Sequence, residues 1–345
     1  MSFVAWTNDE VDVGMLSGVV DINPGSRGFD STIVKKCLAV KNAEEGWHID
    51  LLTDAWGAAA TAAWRYQFSA TRSNQPYNST AFLLLFSNQT DGRDLFGIRG
   101  APGNFAFYNG YQLNYWSGTA WVAVGPIFLL PNVYHVITVT GLIGDAGGVI
   151  RVDVGGVMMA QLVGDTKFTA STTIDRIKHY GPGSSNGDTW QYVAEMIYCN
   201  DSTSMTYGLR VADLALTAAG TNGTQASGLV TDVNDVPAST ATAMAFNAAG
   251  QKFTGIATDL PASMATSPIL GVRLSALLRR GSTGPQTWLP AVHLATGGYQ
   301  TGPARTINGI GYTPVAYPFF VNPFTGVPWT YAEVNGMEYG GEAAA

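Results

Sequence analysis

The four histidines, at 48, 135, 179 and 293, stand singly in four separate segments. A zinc centre needs paired ligands, as in H-x-x-H or H-E-x-x-H, and neither spacing occurs. His135, inside an apolar run, reads as a satisfied, half-buried side chain. A jelly-roll glycosidase needs two carboxylates on one strand, roughly E-x-D-x-x-E, so that one protonates the leaving group while the other attacks. No such triplet is present. The nearest acidic cluster, Asp9-Glu10-Val11-Asp12, falls in an N-terminal arm expected to be flexible. No G-x-S-x-G elbow marks a nucleophile, although a Ser/His/Asp grouping assembled only in space would leave no linear trace. These residues lead to the expectation that the chain is not an enzyme and holds no cofactor.

Two segments could hold a ligand without catalysis. Asn88-Gln-Thr-Asp-Gly-Arg-Asp94 puts side-chain oxygens at 88, 91 and 94, a set that could feed calcium. Arg93 opposes a cation there, and the segment reads as an Asx-rich turn with no metal assigned. Tyr108-Asn-Gly-Tyr-Gln-Leu-Asn-Tyr-Trp116 mixes rings, on which sugars stack, with planar amides that hold hydroxyls. Tyr111, Gln112, Asn114 and Trp116 are therefore candidate glycan contacts. Alternation puts Tyr111, Leu113 and Tyr115 on one face and Gln112, Asn114 and Trp116 on the other, and one of these faces is also what a core would take.

The elements that must position these residues are strands. Ala63 to Ala70 alternates, setting Trp64, Tyr66 and Phe68 opposite Arg65 and Gln67. Ala81 to Phe86 is continuously apolar and fits a central strand covered on both sides. Leu95 to Arg99, Phe105 to Tyr108 and Tyr111 to Tyr115 follow, and Ser117-Gly118-Thr119 links Tyr115-Trp116 to Trp121-Val122 in a hairpin. Tyr134 to Thr140 and Val149 to Val154 have the clearest period of two, with Gly155-Gly156 turning into Val157 to Val163. Ile174 to His179 and Trp190 to Cys199 complete an all-β pattern. Helix is nearly absent; Val34 to Val40 and Val211 to Ala219 read as strand or buried loop. Residues 221–241, rich in Gly, Ser, Thr, Asn and Asp, read as a linker. Beyond it Gln251 to Ile256, Ile269 to Leu278, Trp288 to Leu294, Arg305 to Ile310 and Ala316 to Val321 are strand candidates.

Composition narrows the role. Charged residues are only 12% of the chain and glycine supplies 41 of 345 residues. So few charges would be a poor surface for a free monomer, which implies cover by other subunits. A net charge of -7, with no basic run longer than Lys35-Lys36 or Arg279-Arg280, disfavours nucleic acid as a partner. No apolar run is long enough to enter a membrane. The first ten residues lack a basic n-region and an apolar core, so export through a leader is not expected. Cys37 and Cys199 cannot define a disulfide framework and read as buried free thiols. The four glycosylation sequons read as coincidences of composition.

The segment Val321-Asn-Pro-Phe-Thr-Gly-Val-Pro-Trp-Thr-Tyr-Ala-Glu-Val-Asn-Gly-Met-Glu-Tyr-Gly340 carries the most information. Pro323 and Gly326 bracket a tight turn, and Thr330 with Glu333 forms a capping box that starts a helix at Tyr331. Asn335-Gly336 tolerates positive φ, so the helix is a turn or two long. The whole reads as a latch packing Trp329 and Met337 onto a larger β structure. It resembles the N-P-x-T-G-x-x-W-T motif that closes virion proteins of tailed bacteriophages. The Arg72-bearing strand end, the 149–162 hairpin and the 190–203 strand, followed by the connector at 208–220, resemble a concanavalin A-like jelly roll, also likened to laminin-G domains.

Together these imply an N-terminal arm at 1–24, a jelly-roll sandwich at 25–220, the linker at 221–241 and a smaller C-terminal β-sandwich domain at 242–345. The resemblance implies a structural virion component, made in the bacterial cytoplasm and placed at the tail, tail tip, collar or fibre. Its partners would be copies of itself and other virion proteins, with host-surface glycan as a further contact. A head decoration or spike, and a freestanding carbohydrate-binding or glycan-cleaving sandwich, are the alternatives.

Overall fold

The computed structural model describes residues 4–7, 14–15, 19–22, 24–27, 29–41, 45–52, 62–72, 82–101, 110–128, 130, 133–167, 170–181, 190–200, 209–233, 241–294, 298–307 and 310–344. The chain is all-β, a jelly-roll-type sandwich followed by a second, smaller β-sandwich. The two compact units divide between Val211 and Ala212. The described residues of the segment expected to be a linker therefore fall in the second unit, and its first residues lie inside a strand.

The first unit contains β1 (Val4–Thr7), β2 (Gly14–Met15), β3 (Val19–Asp21), β4 (Cys37–Lys41), β5 (Glu45–Asp50), β6 (Ala63–Arg72), β7 (Phe82–Asn88) and β8 (Arg93–Ala101). It continues with β9 (Gly110–Trp116), β10 (Trp121–Phe128), β11 (His135–Leu142), β12 (Gly148–Val154), β13 (Val157–Gly164), β14 (Arg176–Tyr180) and β15 (Trp190–Cys199). One sheet runs β13-β12-β11-β6-β15-β4-β3, with β1 also on β15; the second runs β10-β9-β8-β7-β14-β5-β2. The expected N-terminal arm is corrected here, since its described residues pair into both sheets. The Asp9 to Asp12 cluster and the expected strand at Phe105 to Tyr108 lie outside the described residues.

Alternation builds the core between the two sheets. Trp64, Tyr66 and Phe68 of β6 are fully buried in it, together with Trp47, Ile49, Phe86, Phe96 and Tyr198. Burying each such side chain stabilises the fold by about 1.5–3 kcal/mol. Trp64 stacks on Phe86 with centroids 4.4 Å apart and on Phe96 at 5.6 Å. Its cross-strand partner is Gly141, where a Cβ would sit 2.2 Å from the indole, so glycine is what lets the ring lie flat on β11. The Gly155-Gly156 pair turns β12 into β13 with φ of +59° and +81°, values that suit glycine in a two-residue hairpin. β7, apolar from Phe82 to Phe86, sits between β8 and β14, buried along nearly its whole length, as a central strand requires.

The second unit holds β16 (Leu216–Gly223), β17 (Lys252–Ala257), β18 (Val272–Leu278), β19 (Thr287–Leu294), β20 (Gly298–Thr301), β21 (Arg305–Thr306), β22 (Thr313–Phe319), α1 (Tyr331–Asn335) and β23 (Met337–Ala344). Its main sheet runs β16-β17-β23-β19-β20, with β21 on β19, and the β18–β22 ribbon shares its core. Trp329 is 3% exposed and donates its Nε1 to the Phe319 carbonyl at 2.7 Å; Met337 lies in the same core. The capping box forms, with Glu333 N to Thr330 Oγ1 at 3.2 Å and Thr330 N to Glu333 Oε2 at 2.8 Å. Buried Asn322 ties the turn to the helix by donating to Glu333 Oε1 at 2.8 Å. Gly326 takes φ +71°, whereas Gly336 takes −91°, so positive φ closes the turn and not the helix end.

Candidate functional site

The outer face of the second sheet is built by register. Trp121 of β10 stands opposite Trp116 of β9, while Gln112 of β9 faces Arg99 of β8, which in turn faces Phe82 of β7. Tyr111 and Leu113 of β9 turn inward, and Tyr111 is 1% exposed. Of the four residues read as glycan contacts, Tyr111 is thus a core residue and cannot meet a ligand. Asn114 is also buried, donating to the Gln112 carbonyl at 3.0 Å. Gln112 and Trp116 remain on the face, with Gln112 Nε2 held by the Gly125 carbonyl at 2.7 Å.

What the linear reading missed is the company that Trp116 keeps. Its ring lies 5.5 Å from Trp121, Trp121 lies 4.6 Å from Phe82, and Phe82 lies 6.3 Å from Tyr180 of β14. All four rings are half-buried. Phe82 and Trp121 start three strands apart, about 14 Å at the spacing of a sheet. Their rings can meet because Phe82 lies across Gly97 of β8, where a Cβ would come within 2.9 Å of the phenyl ring. The Arg99 guanidinium lies 5.5 Å from the Phe82 centroid, a cation–π contact at the edge of the strip. Farther along the same face Lys178 pairs with Asp94 at 3.1 Å, and Arg176 pairs with Asp50. Close pairs in periodic segments were legible one by one; their convergence depends on register and on Gly97.

A second polar cluster lies on the other sheet. Glu195 is fully buried and takes φ +53° where the pairing of β15 with β6 slips between Ala194 and Ile197. Its carboxylate accepts from Ser69 Oγ at 2.6 Å, Tyr134 Oη at 3.0 Å, the Val211 amide at 3.3 Å and Arg210 Nε. Burial, reinforced by the Glu195 charge, pushes the Tyr134 hydroxyl up to about 12, so it serves as a donor and not as a base. A carboxylate so encased ties β6, β15, Tyr134 and the segment at 210–211 together within the first unit. It has no route to a substrate.

In the second unit, Glu338 of β23 accepts from Thr254 Oγ1 at 2.6 Å, the Thr221 amide at 2.9 Å and Thr221 Oγ1 at 3.1 Å. His293 Nδ1 lies 3.2 Å from both Glu338 Oε2 and Thr221 Oγ1. A nucleophilic triad sets the hydroxyl and the carboxylate on opposite nitrogens of the imidazole. Here one nitrogen meets both, so the group is a clip across β16, β17, β19 and β23. Burial works against the Glu338 charge, but the hydrogen bonds from Thr254 and Thr221 and the nearby His293 outweigh it and hold the carboxyl below its ordinary range.

The other expected sites resolve as structure. Asn88 Oδ1 accepts from the Asp91 amide at 2.9 Å, Asp91 from Ser171 at 2.7 Å, and Asp94 pairs with Lys178, so the loop oxygens are committed to the protein. Asp175 accepts from the amides of Gln89 and Thr90, at 2.6 Å and 3.3 Å, fastening the same loop. His179 sits in the core between Trp47 and Tyr66, whose Oη is 2.8 Å from Nε2. His135 is buried with Nδ1 2.8 Å from the Val133 carbonyl. Cys37 and Cys199 are buried free thiols, and burial pushes Cys37 up to about 12. Among the described residues no group of three or more His, Cys, Asp or Glu could hold a metal ion.

No family model and no curated protein matches this chain. Solved structures do. Alginate lyase Aly36B matches at 9% identity and a TM-score of 0.35, over 60% of this chain and 98% of that one. Peanut lectin matches at 10% identity and 0.34, over 58% and 97%. A Trypanosoma rangeli sialidase matches at 17% identity and 0.34, over 50% of this chain and 26% of that one. At these scores the likeness assigns no activity. Two of these proteins are nevertheless enzymes, so the expectation that this chain is not an enzyme does not stand. The missing acid pair speaks to one class of glycosidase and excludes no other chemistry.

Proposed function

We propose that the protein is a component of a tailed-bacteriophage particle, associated with the tail and assembled in several copies. The observation that carries this reading is the closing segment. Its turn and capping box are tied by hydrogen bonds and flank Trp329, which is buried in the core of the second β unit, and its sequence resembles the segment that ends tailed-phage virion proteins. Low charge supports it, because a surface with 12% charged residues in the chain gains solubility when copies or neighbours cover it. Exposed Leu142, Val157, Met158 and Val163 on β11 and β13 give such neighbours apolar surface to cover. Closed symmetric assembly is the usual way such surfaces are satisfied. Mass spectrometry of density-banded particles from an infected or induced host tests the reading. The chain at a fixed copy number per particle is expected; its recovery only in the soluble lysate would contradict it.

A further inference from the structure

We infer that the strip formed by Trp116, Trp121, Phe82 and Tyr180 binds the pyranose rings of an oligosaccharide, with Arg99 and Gln112 meeting its polar groups. This goes beyond a place in a particle, and it holds for the isolated chain.

Four aromatic side chains from β7, β9, β10 and β14 line up on the side of the sheet that faces away from the core. Each keeps part of its surface in contact with solvent. Fully buried aromatics already fill the core on the opposite side, so these rings are surplus to the packing between the sheets. From Tyr180 through Phe82 and Trp121 to Trp116 the ring centroids follow one another at 6.3, 4.6 and 5.5 Å, in a strip one ring wide. Four half-buried aromatic side chains expose on the order of 300 Å² together, well below the roughly 800 Å² per partner of a stable protein interface. Composition points the same way. The large exposed aliphatics that lie within strands of this unit, Leu142, Val157 and Val163, are on the other sheet, while this face offers rings, an amide and a guanidinium. Ring faces suit the C–H faces of a pyranose, and the polar groups beside them suit its hydroxyls or carboxylate. Gln112 is oriented in advance by Gly125, and Arg99 by the Phe82 ring. Among the described residues of this face Arg176 pairs with Asp50 and Lys178 with Asp94, and the positive group beside the rings is Arg99. That sign favours saccharides bearing carboxylates.

The test is an array of neutral and uronate-containing oligosaccharides probed with the full chain, followed by titration of the best-bound member with tryptophan fluorescence as readout. Saturable binding is expected, stronger for uronate-containing members. Trp121→Ala and Phe82→Ala should each weaken it by about tenfold or more, and Trp121→Phe by less. Near-ultraviolet circular dichroism shows that each variant is folded, and a variant that unfolds is replaced by Arg99→Gln, for which the same loss on uronates is expected. Absence of binding at millimolar saccharide would overturn the inference. So would binding that survives the substitutions, or a strip whose substitution abolishes only self-association.

Discussion

The Nε of Arg210 donates to the carboxylate of Glu195, a side chain with no solvent-accessible surface on a strand whose backbone turns left-handed at that residue. A non-glycine residue in that region costs about 1–2 kcal/mol and persists where its surroundings over-determine it. Ser69, Tyr134 and Arg210 do so here. Arg210→Ala would leave a buried, uncompensated carboxylate, which costs about 3–5 kcal/mol. Thermal unfolding of the first unit should shift down by on the order of 10 °C, and Glu195→Gln combined with Arg210→Ala should recover part of the loss. An unchanged midpoint in the single variant would show that the pair does not hold this sheet.

Acid should act through His179. Burial lowers its pKa from 6.5 to about 3, so the folded chain carries a neutral imidazole where the unfolded chain takes up a proton. Stability is therefore whole above about pH 6.5 and declines as pH falls toward 3, by up to about 1.4 kcal/mol per pH unit. Urea midpoints between pH 7.5 and 4.5 measure this. His179→Gln, less stable throughout because Tyr66 loses its partner, should show a shallower decline, and a decline of equal slope would rule out His179 as its source.

The closing segment can be dissected by position. Trp329→Ala removes a buried indole and should cost about 3–5 kcal/mol. Thr330→Ala breaks the capping box for about 0.5–2 kcal/mol, and Gly326→Ala strains a backbone at φ +71° by about 1–2 kcal/mol. Denaturant unfolding of the three variants should rank them with Trp329→Ala worst. If all three fell within experimental error of the parent, the segment would be an appendage and not part of the core.

Cys37 should resist thiol reagents, because burial, aided by the charge of Asp21, holds its thiol protonated near neutral pH. Labelling by a maleimide at pH 7 should be negligible in the native chain and complete in urea. Rapid native labelling at Cys37 would mean that β4 opens readily.

How much of this was legible depends on whether a feature is local or assembled. Trp64, Tyr66 and Phe68 announced their strand by alternation, and Thr330 with Glu333 announced the cap, because each pattern closes within a few residues. β23 was missed. Its sequence, with Gly340, Gly341 and two alanines, has little β propensity, yet these small residues are what the centre of that sheet needs. A Cβ at Gly340 would lie 1.9 Å from the Phe253 carbonyl, and one at Gly341 1.9 Å from the Trp288 indole. The Glu195 cluster draws on positions 69, 134, 195 and 210 and has no linear signature. Of the expected glycan contacts, period-two alternation could not say which face was core, and so it carried Tyr111 along with Trp116. The partners Trp121, Phe82 and Tyr180 become neighbours only once the strand order β10-β9-β8-β7-β14 is known.

The place of the chain in a particle is tested most directly by immunogold labelling of purified, tailed particles with antibody against the first unit. Gold at one fixed position on the tail of most particles is the predicted result. Particles that carry no gold, while the antibody still precipitates the chain from the same lysate, would contradict the account.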